Sequence, residues 1–162
     1  MSEAAIVETH NEDETRAFGA ELGRIAAPGD SLLLLGSFGV GKTTLVQGIG
    51  AGLGVEGTVN SPSFVIANEY SGRLHLYHVD LYRVDELDQT TLEALAEYFG
   101  SDGLCVVEWP AALPADLVDD AVRIELSVTG ESSRQISLLG GGPEYRAAFE
   151  RYATPHAPGA RV

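Results

Sequence analysis

Residues 36–43, with the sequence GSFGVGKT, have the types and spacing of a phosphate-binding loop. Glycines at the first, fourth and sixth positions let backbone N–H groups turn inward around phosphate oxygens, where side chains would collide. Lys42 can then reach the β and γ phosphates, and the Thr43 hydroxyl can ligate a magnesium ion that bridges them. The residues predicted to contact a nucleotide are Gly36, Ser37, Phe38, Gly39, Val40, Gly41, Lys42, Thr43 and Thr44.

The surroundings of this loop are those that the mechanism requires. An apolar run, residues 32–35, precedes the loop, and a helix-like segment starts at Thr44. The helix directs its N-terminal amides and its partial positive charge at the same phosphates. Lys42 is the only lysine of the chain, since all other positive charge comes from arginine. We therefore predict nucleotide binding, with Lys42 as one of the catalytic residues.

Hydrolysis would also need an acidic residue at the end of a strand beside the loop. Glu108 ends the apolar run 104–107, which is typical of a central parallel strand, and Asp80 ends the alternating run 74–80. We assign Glu108, with Thr43, to magnesium. Asp80 is assigned to orienting or activating the attacking water, although the two roles could be exchanged.

Other polar residues near these positions allow two interpretations. His78 and Arg83 flank Asp80, but a histidine there is often structural and an arginine can simply pair with a carboxylate. Trp109 could belong to the core or serve as an exposed anchor for a partner.

A second loop could sense the nucleotide. Ser61, Pro62 and Ser63 follow the first helix after the phosphate loop, where hydroxyl groups can respond to the γ-phosphate and magnesium. Ordinary turn chemistry explains Ser61-Pro62 equally well.

Composition limits the class of protein. The 162 residues are 44% apolar and carry a net charge of −14, which fits one domain with a proper core. The negative charge opposes direct binding to nucleic acids or anionic membranes, so a role on RNA would act through a protein partner. Single Cys105 lies in an apolar run and is interpreted as a buried small hydrophobe. No signal peptide or membrane-spanning run is recognised, and we expect a cytoplasmic protein.

The periodicity of the chain predicts an α/β fold of the P-loop NTPase-like type. We expect a three-layer sandwich with a mostly parallel central sheet, an antiparallel hairpin and flanking helices. Residues 1–142 would form one domain, and residues 143–162 a short helix with a disordered tail from Thr154. Asn11 or Asp13 would cap the first helix, and Thr90 and Glu93 resemble a capping box for a helix ending at Phe99. The predicted strands are 5–9, 31–35, 64–70, 74–80, 104–107, 122–128 and 134–139.

Four motifs in this order and spacing resemble the TsaE family of bacterial ATPases. They are GSFGVGKTTLVQG, NSPSF, YHVDLYR and VVEWP, and the resemblance extends over roughly residues 11–139. It implies a small P-loop ATPase that supports formation of threonylcarbamoyladenosine on transfer RNA beside the anticodon. It also implies action through the TsaB and TsaD proteins, with ATP as substrate and Mg²⁺ as cofactor.

The resemblance assigns roles by position. Residues 36–44 would bind the nucleotide, Thr43 and Glu108 would hold magnesium, and Asp80 would serve hydrolysis. Residues 60–64 would match the family's switch-like segment, with Ser63 in place of the usual threonine. Ser37 stands where the family commonly has an acidic residue, which leaves the local role of that acid in doubt here.

Two other functions fit the same loop. A small-molecule kinase would need an arginine-rich lid and an acceptor pocket, for which the sequence offers little. A nucleotide-sensing interaction module with negligible hydrolysis would look the same in sequence as a slow ATPase that a partner stimulates. No segment is clearly an adenine pocket, and the turns at residues 11–15 and 129–134 are candidates.

Overall fold

The computed structural model describes residues 5–37, 39–57, 59, 67–82 and 84–156, and in this part of the chain a seven-stranded sheet carries helices on both faces. The strands are β1 (Ala5–Thr9), β2 (Ser31–Leu35), β3 (Ala67–Ser71), β4 (His75–Asp80), β5 (Leu104–Glu108), β6 (Val122–Val128) and β7 (Arg134–Gly140). The helices are α1 (Glu12–Ile25), α2 (Lys42–Gly52), α3 (Gln89–Ala96) and α4 (Pro143–His156), with a short 3₁₀ turn at Pro110–Ala112.

The sheet is parallel in its centre and antiparallel at both sides. The strand order is β1-β7-β6-β2-β5-β4-β3, in which β6, β2, β5 and β4 are parallel to their neighbours in that group. β3 pairs antiparallel with β4, as do β7 with β6 and β1 with β7. The predicted α/β class with a parallel core and an antiparallel hairpin is therefore confirmed. The parallel arrangement places the ends of β2, β4 and β5 at one edge of the sheet.

Two cores cover the two faces of the sheet. Helices α1, α2 and α4 pack on one face, with Phe18, Leu45 and Phe149 fully buried against the strands. On the other face α3 and residues 109–121 cover a smaller core that includes Leu95 and Cys105. Burial raises the pKa of the Cys105 thiol to about 12, which agrees with its interpretation as a buried hydrophobe.

Glycines hold α1 and α2 unusually close together. A Cβ atom on Gly48 would overlap the carbonyl oxygen of Arg16, because the two helix backbones are in contact there. The sequence predicts that α2 is weak, since glycine costs up to about 1 kcal/mol relative to alanine in a helix. The structure shows why the glycines are present: they permit a packing that side chains would prevent. The glycines at this contact are Gly19, Gly23, Gly48 and Gly52.

The ends of two helices test the predicted caps. Asn11 caps α1 by accepting a hydrogen bond from the Glu14 N–H at 2.9 Å, as one of the two alternatives predicts. The capping box predicted for α3 is wrong. Asp88 is the N-cap and accepts from the Thr91 N–H at 2.7 Å, while Glu93 accepts from the side chain of its neighbour Gln89. Asp88 stands immediately before the helix, where its carboxylate can accept from the Thr91 N–H, whereas Thr90 already lies inside the first turn.

Three helix boundaries differ from the sequence expectation, and the described strand ends agree with it to within one residue. α2 begins at Lys42, two residues earlier than predicted, and α3 ends at Ala96 rather than at Phe99. α4 extends to His156, past the residue from which a disordered tail is expected. It also contributes Tyr145 and Phe149 to the first core. The sequence predicted only a short helix here and did not indicate this packing. Within the described part of the chain, no helix is long and apolar enough to cross a membrane.

Candidate active site

The predicted loop and both predicted carboxylates meet at the edge where the parallel strands end. β2 leads directly into the loop, and β5 pairs with β2 so that Glu108 lies opposite Leu34. β4 pairs with β5 on its other side, with Asp80 opposite Glu108. The expectation that the strand of Glu108 lies beside the loop strand is confirmed. Sequence distances of 28 to 65 residues thus become contacts between adjacent side chains.

The loop delivers the N-terminus of α2 to this edge without a side-chain cap. Gly41 is the N-cap residue, and its left-handed backbone (φ 107°) is one that residues with a Cβ rarely adopt. No side-chain hydrogen bond from a described residue caps α2, and the first amides of an α-helix have no intrahelical partner. Such a terminus favours an anion. On its outer side the loop is held by Arg134, whose Nε donates to the Val40 carbonyl at 2.8 Å.

Lys42 is almost fully buried. Its Nζ donates to the Gly36 carbonyl at 2.6 Å and lies 3.5 Å from the centre of the Trp109 ring. Burial lowers the pKa of the Lys42 ammonium from its usual value, and the charges of Glu108 and Asp80 oppose that shift. The lysine is therefore positioned by the loop and by an aromatic ring.

Glu108 is held by a buried hydrogen bond from the neighbouring strand. Its Oε2 lies 2.6 Å from Nε2 of His78, and the side chains are 4% and 0% exposed. Thr43 donates to the same oxygen at 3.4 Å, which brings the two predicted magnesium ligands together. Nδ1 of His78 has no hydrogen-bond partner among the described residues. The proton is therefore assigned to Nε2, which donates to the carboxylate.

Asp80 lies beside Glu108 but is more exposed to the cavity. Its Oδ1 accepts the Tyr82 backbone N–H at 3.0 Å. Burial raises the pKa of the Asp80 carboxyl, and the nearby charge of Glu108 raises it further, while the Tyr82 hydrogen bond opposes both. The greater burial of Glu108 than of Asp80 agrees with the difference that the two strand patterns indicate.

These groups line a cavity of about 480 Å³. Asp80, Glu108, Trp109 and Tyr82 form one side of it. The opposite side includes parts of both turns considered for an adenine pocket, since α1 and the turn between β6 and β7 border the same space. The residues from those turns are Glu12, Thr15, Glu131, Ser132 and Arg134. A contact between them and a nucleotide base stays a prediction.

The loop residues predicted to contact a nucleotide divide into two groups. Gly39, Gly41, Lys42, Thr43 and Thr44 line the cavity. Gly36, Ser37 and Val40 do not line it, although the Ser37 carbonyl closes the loop by accepting from the Val40 N–H at 3.3 Å. Phe38, Arg83 and the switch-like residues Ser61, Pro62 and Ser63 lie outside the described residues.

A magnesium site at Thr43 and Glu108 fits the side chains present. Among the described residues no group of three or more His, Cys, Asp or Glu side chains could by itself enclose a metal ion. One hydroxyl and one carboxylate agree instead with a cation that keeps several waters and is completed by phosphate oxygens. The assignment of magnesium remains a prediction.

Sequence reasoning did not predict the position of Trp109. Its backbone is left-handed (φ 57°, ψ 61°), the one positive φ of a non-glycine residue in the described ranges. Its ring covers Lys42 and contacts the Tyr82 ring at 5.0 Å between centroids. A residue before proline is usually extended, so no local signal indicates this conformation.

Fold and site together define an α/β protein of the P-loop-like class, with a glycine loop between a central parallel strand and a helix. Residues 9–136 match the family model described as "Threonylcarbamoyl adenosine biosynthesis protein TsaE". The chain belongs to the TsaE family.

Individual relatives agree with this assignment. A Bacillus subtilis protein named tRNA threonylcarbamoyladenosine biosynthesis protein TsaE is 38% identical over 143 residues, 88% of this chain and 89% of the relative. A Treponema pallidum protein of the same name is 34% identical over 125 residues, covering 77% and 93% of the two chains. The crystal structure of Bacillus subtilis YdiB superposes with a TM-score of 0.72 at 32% identity, over 97% of this chain and 99% of that one.

Proposed function

We propose that this protein binds ATP with Mg²⁺ at the cavity beside the loop and hydrolyses it in support of tRNA threonylcarbamoyladenosine biosynthesis. The observation that carries the proposal is the convergence of an uncapped helix N-terminus, one buried lysine and two carboxylates on one cavity. That combination suits phosphoryl transfer, in which catalysis depends on positioning and on stabilising charge. The names of the relatives supply the biosynthetic setting.

In this mechanism each side chain has a separate task. When ATP binds, the Lys42 ammonium exchanges the Gly36 carbonyl for phosphate oxygens, and its positive charge stabilises the charge that develops on them. Thr43 and Glu108 hold Mg²⁺, which supplies further positive charge at the phosphates. Asp80 orients a water molecule for attack, and it requires the ionised carboxylate to do so. His78 keeps the Glu108 carboxylate in place through its 2.6 Å hydrogen bond.

The partners in this proposal are proteins rather than RNA. The net charge of −14 opposes binding to a phosphate backbone, so the chain would act on tRNA modification through the TsaB and TsaD proteins in the cytoplasm. Hydrolysis by the isolated chain is expected to be slow and to increase when the TsaB–TsaD pair binds.

One observation favours the sensing alternative, in which hydrolysis is negligible. Lys42 donates to the Gly36 carbonyl and lies against Trp109, so a contact between Lys42 and phosphate would act on Trp109 whether or not ATP is cleaved. Nucleotide binding alone could then switch the surface around Trp109.

The test is Mg²⁺-dependent phosphate release from ATP by the chain alone and with the TsaB–TsaD pair, with Lys42→Ala as control. Release that the pair stimulates, and that the variant loses, supports the ATPase. Tight ATP-dependent binding of the pair with release no higher than in Lys42→Ala would favour the sensing module instead.

A further inference from the structure

The face of the sheet opposite α1 and α2 is covered over only half of its width. Among the described residues, the buried members of its core come from β2, β4, β5, α3 and the segment after β5, and none from β6, β7 or β1. Two of the large apolar side chains that remain exposed, Ile6 and Leu139, lie on this uncovered half. The covering layer therefore ends in the middle of the sheet.

A second cavity, which we call the border groove, lies where that covering layer ends. It measures about 390 Å³, more than ten times the roughly 30 Å³ share of one water molecule. Apolar side chains dominate its walls, so an apolar side chain would occupy it more favourably than water. Its lining includes Leu35, Trp109, Pro110, Leu113, Val118 and Arg123.

Arg123 is the single charged residue of the border groove. It forms no salt bridge with any described residue. Lys42, Arg73 and Arg134 also form no salt bridge with a described residue, but each of them donates to a backbone carbonyl instead. A guanidinium beside an apolar cavity is suited to a carboxylate, which it can bind through two parallel hydrogen bonds. The charge of the site thus complements an acidic group next to an apolar one.

The border groove shares a wall with the candidate active site. Trp109 lines both cavities, and its ring lies 3.5 Å from Nζ of Lys42. Gly36, whose carbonyl accepts from the same nitrogen, also lines the groove. A side chain inserted into the groove contacts the same ring and the same backbone that position the lysine.

We propose that the border groove is the docking site for a partner protein that inserts an apolar side chain beside Trp109 and places a carboxylate on Arg123. Trp109 then links partner binding to the nucleotide, because its ring contacts Lys42, the residue that the proposed function assigns to the phosphates. By reciprocity, nucleotide and partner change each other's affinity by the same factor. This inference rests on the proposed function, for which it supplies the contact surface.

The test uses two variants of the groove and two matched controls in the full chain. Arg123→Glu reverses the charge, and Ala115→Phe fills the groove from its exposed rim. Arg24→Glu and Ala51→Phe make the same changes at exposed positions of α1 and α2, on the other face of the sheet. The probe is the TsaB–TsaD pair, titrated calorimetrically with and without ATP, alongside ATP titrations of each chain alone.

Both groove variants should weaken binding of the pair by roughly tenfold or more, as expected for residues at the centre of an interface. ATP affinity of the isolated Arg123→Glu variant should stay within about twofold, since Arg123 does not line the nucleotide cavity. The controls should bind the pair as the wild type does. The wild-type chain should bind ATP with a different affinity when the pair is present, and Arg123→Glu should lose that difference.

Three results would overturn the inference. If both groove variants bound the pair with wild-type affinity, the border groove would not be the docking site, and the proposed function would be unaffected. Dimers of the wild-type chain that Arg123→Glu converts to monomers would identify the groove as an interface between copies. Failure of the wild-type chain both to bind the pair and to release more phosphate in its presence would reject the proposed function, and the inference with it.

Discussion

Nε2 of His78 lies 2.6 Å from Oε2 of Glu108, and both side chains are withdrawn almost completely from solvent. A buried carboxylate is stable only when its charge is hydrogen-bonded or paired, so the histidine is part of the reason that Glu108 can remain at the end of β5. The histidine comes from β4, one strand further from the loop.

His78→Phe should lower the free energy of unfolding by about 1–3 kcal/mol, because it leaves a buried carboxylate oxygen without its donor. It should also weaken the effect of Mg²⁺ on ATP affinity, since Glu108 is no longer fixed. Urea unfolding and ATP titrations with and without Mg²⁺ measure the two effects. His75→Phe, at the exposed first residue of the same strand, is the control and should change neither quantity.

Lys42→Ala should weaken ATP binding by about tenfold or more, which corresponds to about 1.4 kcal/mol. The variant removes the one ammonium that lies at the loop, whereas the backbone amides of α2 remain. Calorimetric titration of ATP measures the loss. An ATP affinity equal to that of the wild type would show that the lysine stays on Gly36 and Trp109 when the nucleotide binds.

Glu108→Gln and Asp80→Asn should have different consequences. The first should reduce both the Mg²⁺ dependence of ATP binding and the rate of phosphate release, because it removes a metal ligand. The second should reduce the rate by about a hundredfold or more and leave Mg²⁺-dependent binding unchanged, because it removes only the group that orients water. The opposite pattern would exchange the two assignments.

Cys105 should resist thiol reagents while the protein is folded. Its pKa is raised to about 12 by burial, so the reactive thiolate is absent from the native state at neutral pH. The raised value also fixes the sign of a stability effect. The unfolded thiol ionises first, so the contribution of Cys105 to stability is complete below about pH 8.5 and declines towards pH 12.

Two measurements check this prediction. Labelling by a disulfide reagent at pH 8 should require denaturant, and rapid labelling of the native protein would contradict the burial. Alkaline unfolding followed for the wild type and Cys105→Ala should show the extra loss of stability only when the thiol is present, by up to about 1.4 kcal/mol per pH unit.

Gly48→Ala should lower the free energy of unfolding by about 1–3 kcal/mol, because the added Cβ overlaps the Arg16 carbonyl and forces α1 and α2 apart. Gly140→Ala is the matched control, since a Cβ there meets no atom within 4 Å. Urea unfolding of the two variants gives the comparison. Equal stability of both would show that the helices separate without cost.

Local patterns predicted the centre of this fold well. The run at β2, the glycine loop and the apolar strand before Glu108 are each recognisable within a few residues, and their apolar character predicts that β2 and β5 lie side by side in the parallel part of the sheet. The parts that were missed have two causes. The cap of α3 is Asp88, two residues before the predicted Thr90, which is a local boundary error, whereas α4 is ordered by packing on Phe18 at the other end of the chain.

The same distinction applies to the candidate site. Residue types and spacing indicated the loop lysine and the two carboxylates. The contact of Trp109 with Lys42 and the hydrogen bond from Arg134 to the loop became visible only in the three-dimensional structure. A contact between a ring and an ammonium 67 positions apart leaves no trace in local sequence. The hydrogen bond from His78 was one of two readings that sequence left open, and the structure decides between them.

The backbone contact between α1 and α2 restricts how the protein can respond to its nucleotide. Helices separated by side chains can slide past each other when those side chains change rotamer. The backbones of α1 and α2 are in direct contact, so no side chains lie between them to adjust in this way. We therefore expect α1 and α2 to move together when the bound nucleotide changes. Tyr82 and Trp109, which line the cavity and pack on each other, are outside this helix pair and can move relative to it.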